Sequence, residues 1–497
     1  MSFLGLDIGT GGCKAVVFSS EGKELAYSFR EYPVLHPHPG WAELDPDEVI
    51  KKCFEVITEV NSKIPDPVVS MCISSQGEAF TPVGKDGLAL GNAMVSSDSR
   101  ARDISVTWSN NFGTQKIYGI TGHTPHPLFS LYKILWIKEH KPEIWQETKY
   151  FLCFEDLFHF RMGLAPKISW SLAGRTMMFD VIRHQWSREI LDAAGLTAEK
   201  LAVPVASGEI TGTIGLNEGS KLGFKNPVLV VAGGHDQNCA ALGAGVTEPG
   251  MCMYATGSVE CFCPLLEKPS FTEELRSNNL CCYDYTIKGK YTTVAYSLTG
   301  GNILRWMRDE LGQSELMRAA QSGENPYTLL LDAMPSDPTG LLVLPYFSAT
   351  GTPYFDTRAK GAIIGLQHTT SKGEITKALL EGVALEMKLN LELMEKSGMK
   401  INTFIATGGG TRNKIWTRLK ADVLNKEIKV CDVREAGCYG ASLLACSAAE
   451  NIPVDQLLDR NRIKSEVFIP DKKNAELYDK KFESYKKLYP ALKQFWS

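Results

Sequence analysis

At 497 residues the chain is longer than one hydrophobic core organises, so two large domains are expected. Apolar residues make up 44% and charged residues 22%, the balance of a soluble globular protein, and a formal net charge of −4 gives no basis for binding nucleic acid or an anionic membrane. No apolar run reaches the roughly 18 residues of a membrane span, and the opening stretch carries Asp7 with no basic segment, unlike a signal peptide.

The predicted elements begin with three short strands. Phe3 to Ile8 is apolar, Lys14 to Phe18 is apolar again after a glycine-rich turn, and Glu24 to Val34 alternates. A helix is expected from about Asp45 to Asn61, with Asp45 as N-cap and Pro46 in the first helical position. Consecutive strands ahead of the first helix do not make the opening βαβ of a dinucleotide-binding unit. An apolar strand from Pro227 to Ala232 then runs into Gly233-Gly234-His235-Asp236, and the polar turn Val246 to Gly250 is the expected domain boundary, dividing the chain into 1–248 and 249–497. In the second half an amphipathic helix is expected from about Lys372 to Ser397, with Ile375, Leu379, Val383 and Met387 on one face and charge on the other. A strand from Ile401 to Ala406 ends in Gly408-Gly409-Gly410, a helical run covers Lys414 to Leu424, and the tail from Ser465 reads as a surface helix. Two halves, each with a strand ending in a glycine-rich turn, indicate a duplicated α/β domain. The thirteen cysteines are scattered without a C-x-x-C spacing and the nine histidines without a paired motif, which points to free buried thiols rather than structural zinc. The compartment read from all this is cytoplasmic.

Three segments carry chemistry. In Asp7-Ile8-Gly9-Thr10-Gly11-Gly12-Cys13-Lys14 an acid at a strand end precedes glycines that let backbone N–H groups approach a phosphate, while the carboxylate can face a magnesium ion. The same residues also suit a plain β-turn. They are not a P-loop, because no G-x-x-x-x-G-K-[ST] occurs. In the second segment, Asp236-Gln237 follows a buried strand and two glycines, where Asp236 can accept a proton from a bound hydroxyl or simply cap a helix. In the third, Thr407 to Asn413 places three glycines between a strand and a helix, which suits contact with a nucleoside or a wide turn.

The order Asp7-Ile8-Gly9-Thr10, Gly233 to Asp236, and Gly408-Gly409-Gly410 resembles the FGGY carbohydrate kinases, and so do Ser130 to His140, Gly361 to Glu381 and Gly40 to Pro46. The resemblance runs from about residue 3 to 450. It implies two ribonuclease H-like domains of the actin-like ATPase type flanking a catalytic cleft, with sugar in the first and ATP mostly against the second. It further implies Asp236 as general base, Asp7 as the residue for Mg²⁺, and Thr10 and Lys14 near the γ-phosphate. Thr256-Gly257 would meet the ATP phosphates, and Gly301, Gly409, Gly410 and Asn413 the nucleoside. The acceptor would be held by Gln76, Gly77, Glu78, Asp236 and Gln237, and a homodimer is compatible with the family.

Against the glycerol kinases, Glu78 and Asp236-Gln237 remain, whereas Gly77, Ser96 and Leu128 replace an Arg, a Trp and a Tyr. Lost hydrogen bonds of about 1–3 kcal/mol each make glycerol a poor substrate, and the smaller side chains imply an enlarged pocket. Asp98 and Arg100 read as an ion pair beneath that pocket. The implied acceptor is a small sugar or polyol, foremost a ketopentose such as xylulose, with erythritol, glycerol or gluconate as alternatives. An actin- or chaperone-like ATPase without a sugar would share the first and third segments but has no need of Asp236-Gln237.

Overall fold

The computed structural model describes residues 1–461 and 465–496. The first half builds a six-stranded sheet from β1 (Ser2–Ile8), β2 (Gly12–Ser19), β3 (Glu24–Glu31), β4 (Val68–Ser75), β5 (Ile210–Ile214) and β6 (Val228–His235), in spatial order β5-β6-β4-β1-β2-β3. β1, β2 and β3 pair antiparallel, β4 lies parallel to both β1 and β6, and β5 closes the edge antiparallel to β6. Helix α1 (Pro46–Lys63) starts as its sequence directs: the Asp45 carboxylate accepts the N–H groups of Asp47 and Glu48 at 3.0 and 3.3 Å. Helix α2 (Asp236–Gly243) leaves the end of β6.

The second half repeats this plan. β7 (Met251–Thr256) and β8 (Glu260–Leu266) form a hairpin, β9 (Thr403–Thr407) and β10 (Glu427–Cys431) continue parallel to β7, and β11 (Ser465–Phe468) closes antiparallel. The path β2-β1-β4-β6-β5 of the first sheet therefore matches β8-β7-β9-β10-β11 of the second. The second half also carries the helices α3 (Lys372–Lys396), α4 (Lys414–Leu424), α5 (Ala436–Glu450) and α6 (Lys472–Tyr485).

Helix α5 ties the halves together by packing on the first sheet and crossing α2. The crossing is backbone to backbone: a Cβ at Gly243 would lie 2.0 Å from the Ala436 carbonyl oxygen, and one at Gly440 would lie 1.9 Å from that of Cys239. Only glycine fits at such a distance.

Three elements differ from the sequence reading. β6 does not stop at Ala232 but runs through both glycines to His235, with a register shift against β4 between Val231 and Gly234. The charged side of α3 is not exposed: Glu381 and Glu386 are buried, the first among Thr339, Tyr478 and Lys481, the second between Tyr346 and Tyr485. The tail is a surface helix only from Lys472 on, and one face of it is buried. It opens with strand β11, and α6 buries Tyr478, Phe482 and Tyr485 against α3. An aromatic tail that brings its own hydroxyls can cover buried acids, which is why both departures occur at one interface. All thirteen cysteines are free and all but Cys431 are buried. Among the described residues no helix is long and apolar enough to cross a membrane.

Candidate active site

The carboxyl ends of β1, β4 and β6 lie side by side, because Asp7 pairs in register with Ser74 and Ser74 with Gly234. Two strand spacings put the turn after β1 about 10 Å from Asp236. Ligands of parallel sheets bind at such ends. The structure thus gathers Asp7, Thr10, Lys14, Gln76, Gly77, Glu78, Asp236 and Gln237 into one cluster.

Asp7 accepts Ser74 Oγ at 2.7 Å and faces Lys14 Nζ at 3.6 Å. Lys14 also donates to Glu435 Oε2, at the start of α5, at 2.9 Å. Burial alone would lower the Lys14 pKa, but Asp7 and Glu435 overcome it and raise it, so the ammonium stays charged. Thr10 donates to Gln76 Oε1 at 2.9 Å, and Gln76 Nε2 donates to the Gly9 carbonyl at 3.0 Å. Gln76 was expected at the acceptor. In the structure both ends of its amide engage the turn after β1, where they brace Thr10.

Asp236 is the first residue of α2, not its cap. The cap position is His235, which makes no side-chain capping bond. The N-cap role is therefore excluded for Asp236, whose side chain keeps 32% of its surface exposed. Burial first, then the charges of Asp7 and Glu78, push its pKa up to about 7, the range that suits a general base at neutral pH. His235 is buried, its Nε2 lying 3.3 Å from Asp236 Oδ1 and its Nδ1 2.9 Å from the Tyr283 hydroxyl. Burial and the Arg175 charge lower its pKa, so it is a neutral packed side chain. The neighbouring Gln237 Oε1 is buried with no hydrogen-bond partner. An orphaned acceptor of this kind calls for a donor from outside the chain.

Two residues that touch this cluster carry no signal in the sequence. Glu155 is fully buried and accepts the N–H of Gly233 and of Ser169, both at 2.7 Å. It holds the irregular stretch of β6 that delivers Asp236. Arg175, at the end of the short helix Trp170–Gly174, donates through Nε and Nη2 to Glu78 and lies near the rings of Phe129 and Tyr283. Glu78 itself has a left-handed φ of 62°, a strained setting that aims its carboxylate. No motif surrounds either residue, so only their place in the fold exposes them.

Arg175 also corrects the enlarged-pocket expectation at Gly77. A Cβ there would lie 3.1 Å from His235 Cδ2 and 3.2 Å from Arg175 Cγ, so the room left by glycine is already filled. Asp98 and Arg100 do form a buried ion pair, joined by Glu43, with the guanidinium 3.6 Å from the Trp41 ring centroid.

The second cluster lies at the ends of β7 and β9. Thr256 Oγ1 donates to the Thr407 carbonyl at 2.9 Å, and Gly301 N–H donates to the Gly257 carbonyl at 2.7 Å. Gly408 has φ 92°, and a Cβ on Gly410 would lie 3.0 Å from Thr256 Oγ1, while Gly409 faces open space. Asn413 caps α4 by accepting the Trp416 N–H at 2.9 Å, which leaves its amide nitrogen for a ligand.

This doubled sheet with one cluster at each set of strand ends has matches among known proteins. Residues 2–243 match the model of the FGGY family of carbohydrate kinases, N-terminal domain, and residues 252–449 match the C-terminal domain. The chain belongs to this family. It is 25% identical to a xylulose kinase of Bacillus subtilis (strain 168) over 497 residues, covering 99% of this chain and 97% of that protein. A gluconokinase of the same organism is 26% identical over 455 residues, covering 90% of this chain and 88% of the other. The solved gluconate kinase from Lactobacillus acidophilus superposes with a TM-score of 0.90 at 25% identity, covering 99% and 98% of the two chains. The fold is the two-domain actin-like ATPase fold of FGGY kinases, and the protein is a carbohydrate kinase that phosphorylates a hydroxyl of a small sugar or polyol. Membership of the family implies ATP as phosphoryl donor.

Proposed function

We propose that the acceptor is a neutral ketopentose such as xylulose, that residues 1–248 hold it together with the base, and that residues 249–497 hold ATP. The observation that carries this reading is the pairing of two cations at the acceptor end with carboxylates. Arg175 faces Glu78, and Lys14 lies between Asp7 and Glu435. A sugar acid's carboxylate meets an Arg175 already held by Glu78, whereas the Arg175–Glu78 pair offers both donor and acceptor atoms to hydroxyls. The similarity to a xylulose kinase along 99% of the chain supports the same acceptor.

In this reading Asp236 accepts the proton of the attacking hydroxyl while Gln237, Glu78 and Arg175 orient the sugar. Thr10 and Lys14 meet the γ-phosphate, Thr256 and Gly257 the other phosphates, and Gly301, Gly409, Gly410 and Asn413 the nucleoside. Phosphoryl transfer has a loose transition state, so alignment and charge neutralisation do most of the work. Asp7 fits a role toward Mg²⁺. Among the described residues no group of three or more His, Cys, Asp or Glu forms a cage by itself, and Mg²⁺ typically takes one or two carboxylates and fills its shell with water and phosphate. The bound ion supplies neutralisation of phosphate charge. Thirteen free cysteines support a reducing, cytoplasmic setting, and the family resemblance supports a homodimer.

The test is ADP release over D-xylulose, D-ribulose, xylitol, erythritol, glycerol and gluconate. A ketopentose is expected to give the highest kcat/KM. Glycerol or gluconate as the best acceptor would overturn the reading.

A further inference from the structure

Beneath the nucleotide turns lies a charged pair that the phosphoryl transfer itself does not use. Glu260 opens β8 directly after the 257–259 turn, and Lys420 lies in α4, the helix that follows the 408–413 turn. Their side chains are 0% and 2% exposed, and Lys420 Nζ donates to Glu260 Oε1 at 2.7 Å. The ammonium also lies 4.0 Å from the Trp416 ring centroid and 4.9 Å from that of Tyr254. Burial draws both groups toward their neutral forms, and each partner's charge opposes that pull.

Stability does not account for such a pair. Removing two charges from water costs about as much as their attraction returns, and apolar side chains of similar volume serve as well or better. Its position is more telling. A Cβ on Gly300 would lie 3.0 Å from Glu260 Cγ and 3.0 Å from the Gly257 carbonyl oxygen, and Gly301 N–H bonds that same oxygen at 2.7 Å. The turns at 257–259 and 299–301 therefore rest on Glu260. Thr256, which precedes the first of them, is also the residue that Gly408 and Gly410 press against. Lys420 joins this floor to the helix that carries the third turn. A hydrogen-bonded ion pair fixes one separation, where an apolar contact would allow sliding.

We propose that the Glu260–Lys420 pair is a positioning device for the nucleotide, holding the three turns at the spacing ATP requires without touching the sugar. The proposal rests on the assignment of these turns to ATP. It is tested with the double variant Glu260→Met/Lys420→Met, measuring ADP affinity by titration calorimetry, thermal melting, and KM for D-xylulose. Melting is expected at or above the parent temperature, with KM for D-xylulose unchanged and ADP bound about tenfold more weakly, because the turns are no longer preorganised. Unchanged melting with ADP affinity within about threefold of the parent overturns the proposal. If the double variant does not fold, Glu260→Gln/Lys420→Met is read in the same titration. It keeps both side-chain volumes and removes the pair, and a loss of less than about threefold again overturns the idea. Gly409→Val separates the two levels of inference. Unchanged ADP affinity in that variant sinks the assignment of the turns and the proposal with it, whereas a loss there and none in the double variant sinks the pair alone.

Discussion

Replacing Arg175 with Met tests its proposed place in the acceptor site. The change keeps most of the side-chain volume but leaves Glu78, 5% exposed, without the guanidinium that faces it. Breaking a buried pair costs about 3–5 kcal/mol, because one charge stays behind in a medium that solvates it poorly. Glu78 has little freedom to turn toward solvent, since its backbone is held at φ 62°. Lys133, also buried and close enough for its charge to be felt at Glu78, offsets part of the loss, so the lower end, about 3 kcal/mol, is expected. For function, a hydrogen bond to a charged group is worth about 1.5–3 kcal/mol, which raises KM for the sugar roughly 10- to 150-fold. KM for ATP should hold, because the nucleotide turns belong to the other sheet. Adding Glu78→Gln should return most of the stability by removing the stranded charge, yet should not return sugar affinity. Urea melts and steady-state kinetics with both substrates read these outcomes. A single variant that melts like the parent, or whose sugar KM rises less than about threefold, refutes the role given to the pair.

Asp236→Asn should bind sugar nearly normally and lose about 10²–10⁴ in kcat, since it keeps the shape but cannot take a proton; a loss below about tenfold would remove Asp236 as the base. With the Asp236 pKa raised to about 7, the base is active only above that range. kcat/KM should therefore rise as pH climbs through about 7 and decline below it, and Glu78→Gln should move this limb to lower pH by removing a neighbouring negative charge. A profile flat from about pH 5 to 8 would falsify that account.

Local chemistry made much of this protein legible from sequence. The Asp45 cap, the opening strands, the α4 boundaries at Lys414 and Leu424 and the two glycine-rich turns of the duplicated plan all depend on residues a few positions apart. Periodicity, capping and glycine spacing carry that information directly. The motif residues fell into two clusters because each motif follows one of the parallel strands at the centre of a mixed sheet. What only the tertiary structure decided involves partners remote in the chain. Arg175 meets Glu78 across 97 residues, Lys14 meets Glu435 across 421, and Lys420 meets Glu260 across 160. No spacing rule links such residues, and a buried charge in a sequence looks like any surface charge until its partner is in place. The same reason hid the burial of Glu381 and Glu386, whose phenolic partners arrive with the tail helix, and the engagement of Gln76 inside the protein, set by the turn that β1 brings alongside.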